Sequence, residues 1–215
     1  MQLLKKIVPL VLSLALFIAV SAAVRTQLPA LEAALSDPAS RWMAMALYVL
    51  LGIASVIVPF TSLIPAVPAA VALWGWPVTS ALTFVSWVIG GQILFEVSRA
   101  LGRGAVERLA GKAQLESIGT VLRRKGLWQS IIVRLLIQSD LLSCAFAVFT
   151  TMTRWEFLVV NATGVALWAV AYAYFGVLSI AWQVMGAGVI CILAFGYWLF
   201  WERALHGEGR MHLRL

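Results

Sequence analysis

Residues 43–76 read MAMALYVLLGIASVIVPFTSLIPAVPAAVALWGW. A helix that crosses a membrane needs about 20 apolar residues, so this run is too long for one crossing and too short for two comfortable ones. Pro59, Pro65 and Pro68 interrupt it, and Gly75 lies near its end. A broken helix persists at membrane depth only where protein or water satisfies its backbone. The run therefore predicts a helical hairpin that dips into the membrane and returns to the same side.

The sequence that follows alternates in the same way between spans and interrupted runs. Residues 78–97 are continuously apolar and predict a full span. Residues 128–152 are again apolar but carry polar interruptions, which are Arg134, Gln138, Ser139 and Asp140. They predict a second hairpin. Residues 155–177 and 179–201 predict two further spans, and the chain ends in a basic tail.

The amino-terminal part of the chain has two interpretations. Residues 7–24 are apolar and follow Lys5 and Lys6, which predicts a first span. The alternative is a cleaved signal peptide that ends within residues 1–23, because small residues close the apolar run. The polar segment 25–42 has balanced charges and is predicted to be an external loop.

The composition requires a membrane. Hydrophobic residues make up 62% of the 215 residues and charged residues 12%, whereas an ordinary soluble domain has about a quarter charged. Lipid must therefore solvate much of this apolar surface. The length suits one membrane domain, which we place at residues 43–178, between an amino-terminal part at 1–42 and a last span with its tail at 179–215.

The basic residues that give the net charge of +7 are distributed as in cytoplasmic loops, and not as in a nucleic-acid-binding surface. The basic residues cluster in the connector 98–127 and in the tail, without aromatic side chains interleaved in the cluster, so no nucleic-acid partner is predicted. Apolar residues recur in the connector at near-helical spacing. This pattern fits a helix on the membrane surface or a solvated linker helix equally well.

One arrangement of membrane crossings places all the basic segments in the cytoplasm. With a cytoplasmic amino terminus, the first span exits, a hairpin enters from outside, and span 78–97 returns the basic connector to the cytoplasm. A second hairpin entered from inside and two spans then bring the tail back to the cytoplasm. The sequence thus predicts an all-α polytopic protein with four full spans and two re-entrant helical hairpins in an inverted repeat, in a plasma membrane or bacterial inner membrane. Transporters use such repeats to build a mid-membrane site.

Arg134 and Asp140 are the strongest candidates for a functional site. A charge at the centre of a membrane helix costs about 2.5–3.5 kcal/mol, so neither side chain is expected to face lipid. A break near Gln138 would let the two charges meet. They would then form either a polar site for a substrate or coupling ion, or an internal ion pair that only holds the hairpin together.

A second set of candidates lies on the spans. Asn161 can hydrogen-bond between helices, with packing weighed above substrate contact, and Gly164 and Gly90 permit close backbone approach. The two cysteines and two histidines show no metal-ligand spacing, so no metal is predicted. No nucleophile–base pair or glycine-rich phosphate loop occurs, and neither catalysis nor a cofactor is predicted.

The stretch FLVVNATGVALW at residues 157–168 resembles the F-x-x-x-N-x-x-G-x-x-x-W span of the DedA family of VTT-domain membrane proteins. The matching residues are Phe157, Asn161, Gly164 and Trp168. Arg134 falls on a family arginine, and Pro65 and Pro68 fall in the family's proline-rich hairpin. The end of span 78–97 is similar to a second family trace through Gly90, Phe95, Arg99 and Gly102. The resemblance covers about residues 45–178.

The resemblance implies paired re-entrant hairpins and the movement of lipid across the bilayer. In some bacterial members it also implies proton coupling through carboxylates in the first hairpin. This chain departs from that pattern, because Ala69 and Ala70 stand where those members have Gly-Glu and residues 43–76 contain no acid. Asp140 also replaces a second family arginine. Proton coupling of the family kind is therefore not expected unless Asp140 takes over that role.

Three hypotheses follow. The first is a lipid transporter, flippase or scramblase, whose partners are membrane lipids with anionic headgroups, and in which Arg134 meets the headgroup. The second is a transporter of small molecules or ions on the same scaffold. The third is a non-transporting membrane partner protein whose hairpins only pack. A homo-oligomer is compatible with all three.

Overall fold

A computed structural model describes residues 2–58, 62–110, 115–116, 118–119, 122, 126–137 and 140–192. Within these residues the chain is mainly helical, and they contain no β-strand. The expected all-α class is confirmed. The helices are α1 (Gln2–Ala34), α2 (Pro38–Ile57), a 3-10 turn (Ile64–Ala66), α3 (Val67–Ala110), α4 (Leu127–Leu136), α5 (Asp140–Phe149), α6 (Arg154–Val177) and α7 (Ile180–Ile192).

Four helical stretches are long and apolar enough to cross a membrane, which agrees with an integral membrane protein. They are Leu14–Ala34, Pro38–Ile57, Ile64–Arg108 and Arg154–Val177. Three of them contain most or all of a predicted span. The fourth, α2, lies in the run that we predicted to be a hairpin. The predicted last span 179–201 is described only as far as α7, and the basic tail lies outside the described residues.

Helix ends explain where the structure departs from the predicted boundaries. The polar segment 25–42 was expected to be a loop, but α1 continues to Ala34 and α2 begins at Pro38. The Asp37 side chain accepts a hydrogen bond from the Ser40 backbone N–H at 3.2 Å, and proline suits the first helical position. Helix α6 begins with a capping box in which Glu156 bonds back to Thr153, so this acid caps a helix and does not pair with Arg154.

Helix α3 is divided by two glycines with positive φ. Gly75 has φ 77° and Gly102 has φ 75°, a backbone conformation that favours glycine. We call residues 67–74 the short arm of α3 and residues 76–101 its long arm. The predicted span 78–97 lies within the long arm.

The long arm runs antiparallel to α6 and parallel to α2. The rings of Phe95 and Phe157 stack with centroids 4.1 Å apart, and farther along the pair Trp76 packs on Tyr174. The direction of α2 follows from contacts in which both residue numbers rise together, which are Tyr48 with Thr83, Gly52 with Ser86, and Val56 with Gly90. Helix α2 therefore ends beside the middle of the long arm, and the chain returns through the 3-10 turn to the short arm.

The second interrupted run has a corresponding course. Helix α4 packs on α6 and α5 packs on α3. Helix α5 runs parallel to the long arm, since Cys144 contacts Ser98 and the Phe149 ring lies 5.0 Å from the Arg103 guanidinium. The end of α4 lies beside the middle of α6, and α5 ends close to the start of α6.

Candidate functional site

Arg134 lies in the last turn of α4 and is 2% exposed. Its Nε donates to Asn161 Oδ1 at 3.2 Å, and its Nη2 donates to the same oxygen at 2.8 Å. Asn161 is on α6 and is completely buried. These bonds connect two candidates that are 27 residues apart in the chain. A neutral amide oxygen thus holds a buried cation.

Asn161 also reaches the long arm of α3. Its Nδ2 donates to the backbone carbonyl of Val88 at 3.3 Å and approaches that of Trp87 at 3.5 Å. Gly91 permits this contact, because a Cβ atom at that position would lie 2.6 Å from Nδ2. Asn161 therefore joins α3, α4 and α6 at one point.

Gly164 and Trp168 complete the environment of the α4 end. A Cβ atom on Gly164 would lie 2.1 Å from Arg134 Cγ, so the arginine stem occupies the space that the glycine leaves. Trp168 Nε1 donates to the Leu135 carbonyl at 2.9 Å. Carbonyls in the last turn of a helix have no intrahelical donor, and at membrane depth protein groups must satisfy them. The three residues of the Asn-Gly-Trp motif thus all contact the last turn of α4.

Asp140 starts α5 on the other side of this break and is exposed. It is near enough for its charge to act on the Arg134 guanidinium. Among the ion pairs in the described part of the chain, however, none joins Arg134 to Asp140. The two arginine hydrogen bonds described above go to the Asn161 oxygen. Gln138, the remaining candidate, lies outside the described residues.

The first-half candidates do not contact Arg134 in the described part of the chain; they lie in the 3-10 turn, in the short arm and where α2 packs on the long arm. Pro65 is in the 3-10 turn, and Pro68 is the second residue of the short arm. Gly90 permits the close approach of α2, since a Cβ atom there would lie 2.9 Å from Val56 Cβ. Val56 also joins a buried cluster with Val165 on α6. The short arm itself meets α6 near its end, where Pro68 and Val71 lie against Gly176.

Arg99 has a contact that the sequence alone did not indicate. Its Nη1 donates to the Met152 carbonyl at 2.6 Å, and its guanidinium lies 4.3 Å from the centroid of the Phe95 ring. Glu96 accepts a hydrogen bond from Gln92. Arg99 thus fixes the end of the long arm to the turn between α5 and α6.

The arrangement offers one kind of chemistry, which is the binding of a negative group. Arg134 is a permanent cation in the last turn of α4, and it packs against the middle of α6, which is long enough to cross a membrane. Among the described residues, no group of histidine, cysteine or acidic side chains could hold a metal ion. The two described cysteines are free, and Cys144 is buried.

Comparison with protein-family models gives one result that covers the site. The model of the VTT domain matches residues 58–178, more than half of the chain. The chain therefore belongs to the VTT-domain family, and the resemblance drawn from its motifs is confirmed. Comparisons with curated proteins and with solved structures gave no significant match.

Proposed function

We propose that this VTT-domain protein moves lipids between the leaflets of its membrane, as a flippase or scramblase. The observation that carries the proposal is the buried Arg134, which is held against the middle of α6 at the end of α4, where the second apolar run is interrupted. Keeping a cation at that depth is costly, and such residues mark substrate pathways in membrane proteins. The anionic phosphate of a phospholipid or a polyprenyl lipid is the group that Arg134 would meet.

The packing of the helices supports the re-entrant arrangement that this function needs. Helix α2 stops beside Gly90, so it lies alongside only the first half of the long arm. Helices α4 and α5 have ten residues each, about 15 Å, which is half of a hydrocarbon core about 30 Å thick. We therefore place α2 with the short arm as one hairpin and α4 with α5 as the other. They enter from opposite sides and meet near Asn161, as in an inverted repeat.

The orientation follows from the basic residues. Arg99, Arg103 and Arg154 lie at the end of the bundle where the connector leaves α3 and α6 begins. Because basic loops stay in the cytoplasm, this end is cytoplasmic, and both termini of the chain are on the same side. A plasma membrane or a bacterial inner membrane is the location that we propose.

Asn161 and Asp140 have separate roles in this proposal. Asn161 presents the guanidinium and shares it with a phosphate that approaches along the break. Asp140 is exposed at the start of α5 and favours release of the headgroup through its own negative charge. Exchange of a proton at Asp140 would couple movement to pH, in place of the carboxylates that the first hairpin lacks.

The decisive experiment is a fluorescent-lipid scrambling assay in proteoliposomes with the full chain. Arg134→Gln removes the charge and keeps a polar side chain, while Arg154→Gln removes an exposed charge at the start of α6 and serves as the matched control. We expect Arg134→Gln to slow scrambling about tenfold or more, the value of a charge-assisted hydrogen bond. Arg154→Gln should keep the native rate. A folded Arg134→Gln protein with the native rate would refute the role of Arg134.

The native protein itself also tests the assignment. If it is folded and moves no lipid in several lipid mixtures, the lipid-transport proposal is wrong. Counterflow of a soluble substrate would then identify the transporter alternative. If the fold tolerates apolar replacement of Arg134 and Asp140 together but not singly, the partner-protein alternative is favoured, because breaking a buried pair costs more than removing both charges.

A further inference from the structure

A recess of about 340 Å³ lies away from Arg134, between α1, the short arm of α3 and the end of α6. Ligand pockets in proteins begin at about this volume. Its walls are mainly apolar, and the residues that line it are Ser21, Val24, Arg25, Pro68, Val71, Ala72, Gly75, Trp76, Gly176 and Val177. Arg25 is the charged residue in this lining, and the lining contains no acid.

Arg25 has donors to spare in this recess. Its Nη2 donates to the Leu178 carbonyl at 2.6 Å. A guanidinium has five N–H donors in a planar fork. Within the described part of the chain, the Leu178 carbonyl is the acceptor to which Arg25 donates. None of the ion pairs there involves Arg25. The recess therefore presents an uncompensated positive charge above an apolar wall.

The position of the recess in the bundle indicates its surroundings. Trp76 lines it and packs edge-on against Tyr174, with ring centroids 6.3 Å apart. Tryptophan and tyrosine concentrate at the headgroup level of membranes. The recess also lies where α6 ends, at the opposite end of the bundle from Arg99 and Arg154. In the proposed orientation it therefore opens at the outer headgroup level.

We propose that this recess is a binding site for an anionic phospholipid of the outer leaflet, separate from the Arg134 site. The phosphate accepts hydrogen bonds from the spare Arg25 donors, and the first part of an acyl chain lies against Val24, Val71 and Val177. Ser21, Val24 and Arg25 lie outside the matched VTT domain, so the amino-terminal helix of this chain completes the site. The site does not depend on lipid transport, and its test does not use transport as a readout.

The test is photo-cross-linking of the full chain in nanodiscs with a photoreactive phosphatidylglycerol, followed by peptide mapping. Photoreactive phosphatidylcholine with the same chains is the comparison lipid. We expect phosphatidylglycerol to label peptides that contain residues 68–76 or 176–177 at least about fivefold more than phosphatidylcholine, because only its net charge is complementary to Arg25. Equal labelling by the two lipids would overturn the proposal.

Three variants separate the elements of the site. Arg25→Gln keeps a donor for the Leu178 carbonyl but removes the charge, and Ala72→Phe fills the recess while keeping the charge. Each should reduce labelling about tenfold. Arg41→Gln, an exposed charge that does not line the recess, should label as the native chain does. Native labelling in folded Arg25→Gln would contradict the proposal.

Two further arms distinguish a lipid site in the recess from a free-phosphate site and from the Arg134 site. Inorganic phosphate in excess should not protect the recess, and protection would identify a site for free phosphate rather than lipid. Arg134→Gln should keep the labelling even if it abolishes scrambling. Loss of labelling in that variant would show that the recess belongs to the transport site, which would overturn its independence.

Discussion

Gly164 is the residue whose lack of a side chain makes the Arg134 site sterically possible. A Cβ atom at this position would lie 2.1 Å from Arg134 Cγ, which is too close for two carbon atoms that are not bonded to each other. Gly164→Ala should therefore displace the arginine and lower the free energy of unfolding by about 1–3 kcal/mol, as overpacking does. Gly188→Ala is the matched control, because no atom lies within 4 Å of its Cβ position. Thermal unfolding in detergent measures both, and an equal melting temperature for the two variants would contradict the proposed contact.

The hydrogen bonds between Arg134 and Asn161 predict that replacing either partner destabilises the protein by a different amount. Asn161→Leu removes the oxygen that receives two arginine hydrogen bonds, and weakening the support of a buried charge costs about 3–5 kcal/mol. Arg134→Met removes the buried charge itself and leaves the Asn161 amide without these two bonds, at about 1–3 kcal/mol. We expect Asn161→Leu to be the more destabilising change. The double variant should lose less free energy of unfolding than the sum of the losses in the two single variants. Denaturant unfolding of the four proteins in a double-mutant cycle measures this. Additive effects would show that the two residues are not coupled.

The sequence could identify the members of this site but not their partners. Charge at membrane depth singled out Arg134, and the motif spacing singled out Asn161, Gly164 and Trp168. Which residue accepts the arginine hydrogen bonds depends on how α4 packs against α6, and no local pattern contains that information. Opposite charge favoured Asp140, whereas the structure gives these bonds to Asn161. The carbonyl that Trp168 satisfies was hidden for the same reason.

At the scale of elements, α1 is predicted to be a permanent part of the fold. Phe17 is 1% exposed and packs against Phe175 with ring centroids 5.5 Å apart. Gln183 of α7 is completely buried, and its Nε2 donates to Ser21 Oγ at 3.1 Å and to the Leu178 carbonyl at 3.0 Å. Cleavage after residue 23 would remove both α1 contacts. Intact-mass measurement of the purified protein should therefore find residues 1–23 retained, and a mass that lacks them would establish the signal-peptide alternative.

A variant can test the same contact from the side of α7. Gln183→Leu removes the donor that satisfies Ser21 and the carbonyls at the end of α6, and we expect it to lower the melting temperature and to expose the α1–α2 turn to protease. Gln129→Leu, an exposed glutamine on α4, is the control. Limited proteolysis with mass mapping reads out the result. Identical cleavage of the two variants would mean that Gln183 does not hold α1.

The elements also show where sequence periodicity stops being informative. Helix α2 ends at Ile57 and α4 ends at Leu136, close to the proline and polar residues by which the sequence marks the interruptions directly. Helix ends were displaced because hydropathy reports the lipid-facing stretch, whereas a helix continues as long as its backbone bonds and caps allow. Helix α1 therefore extends through the polar residues to Ala34, and α3 extends past the predicted span to Ala110.

At the scale of the whole molecule, the proposed inverted repeat predicts which side of the membrane each turn occupies. In a chain with Cys144→Ser and Cys191→Ser, single cysteines at Ser36 and Trp76 should react with an impermeant maleimide from outside, and those at Gly126 and Thr151 from inside.

Ser62 is decisive, because α2 alone is long enough to cross the membrane. If α2 and the short arm form a hairpin, Ser62→Cys is shielded from the cytoplasmic side, since α2 ends beside the middle of the long arm. Labelling of Ser62→Cys from inside as fast as Gly126→Cys would show that α2 crosses completely. The two halves would then have unequal numbers of crossings, and the two-sided access that the lipid-transport proposal requires would lose its structural basis.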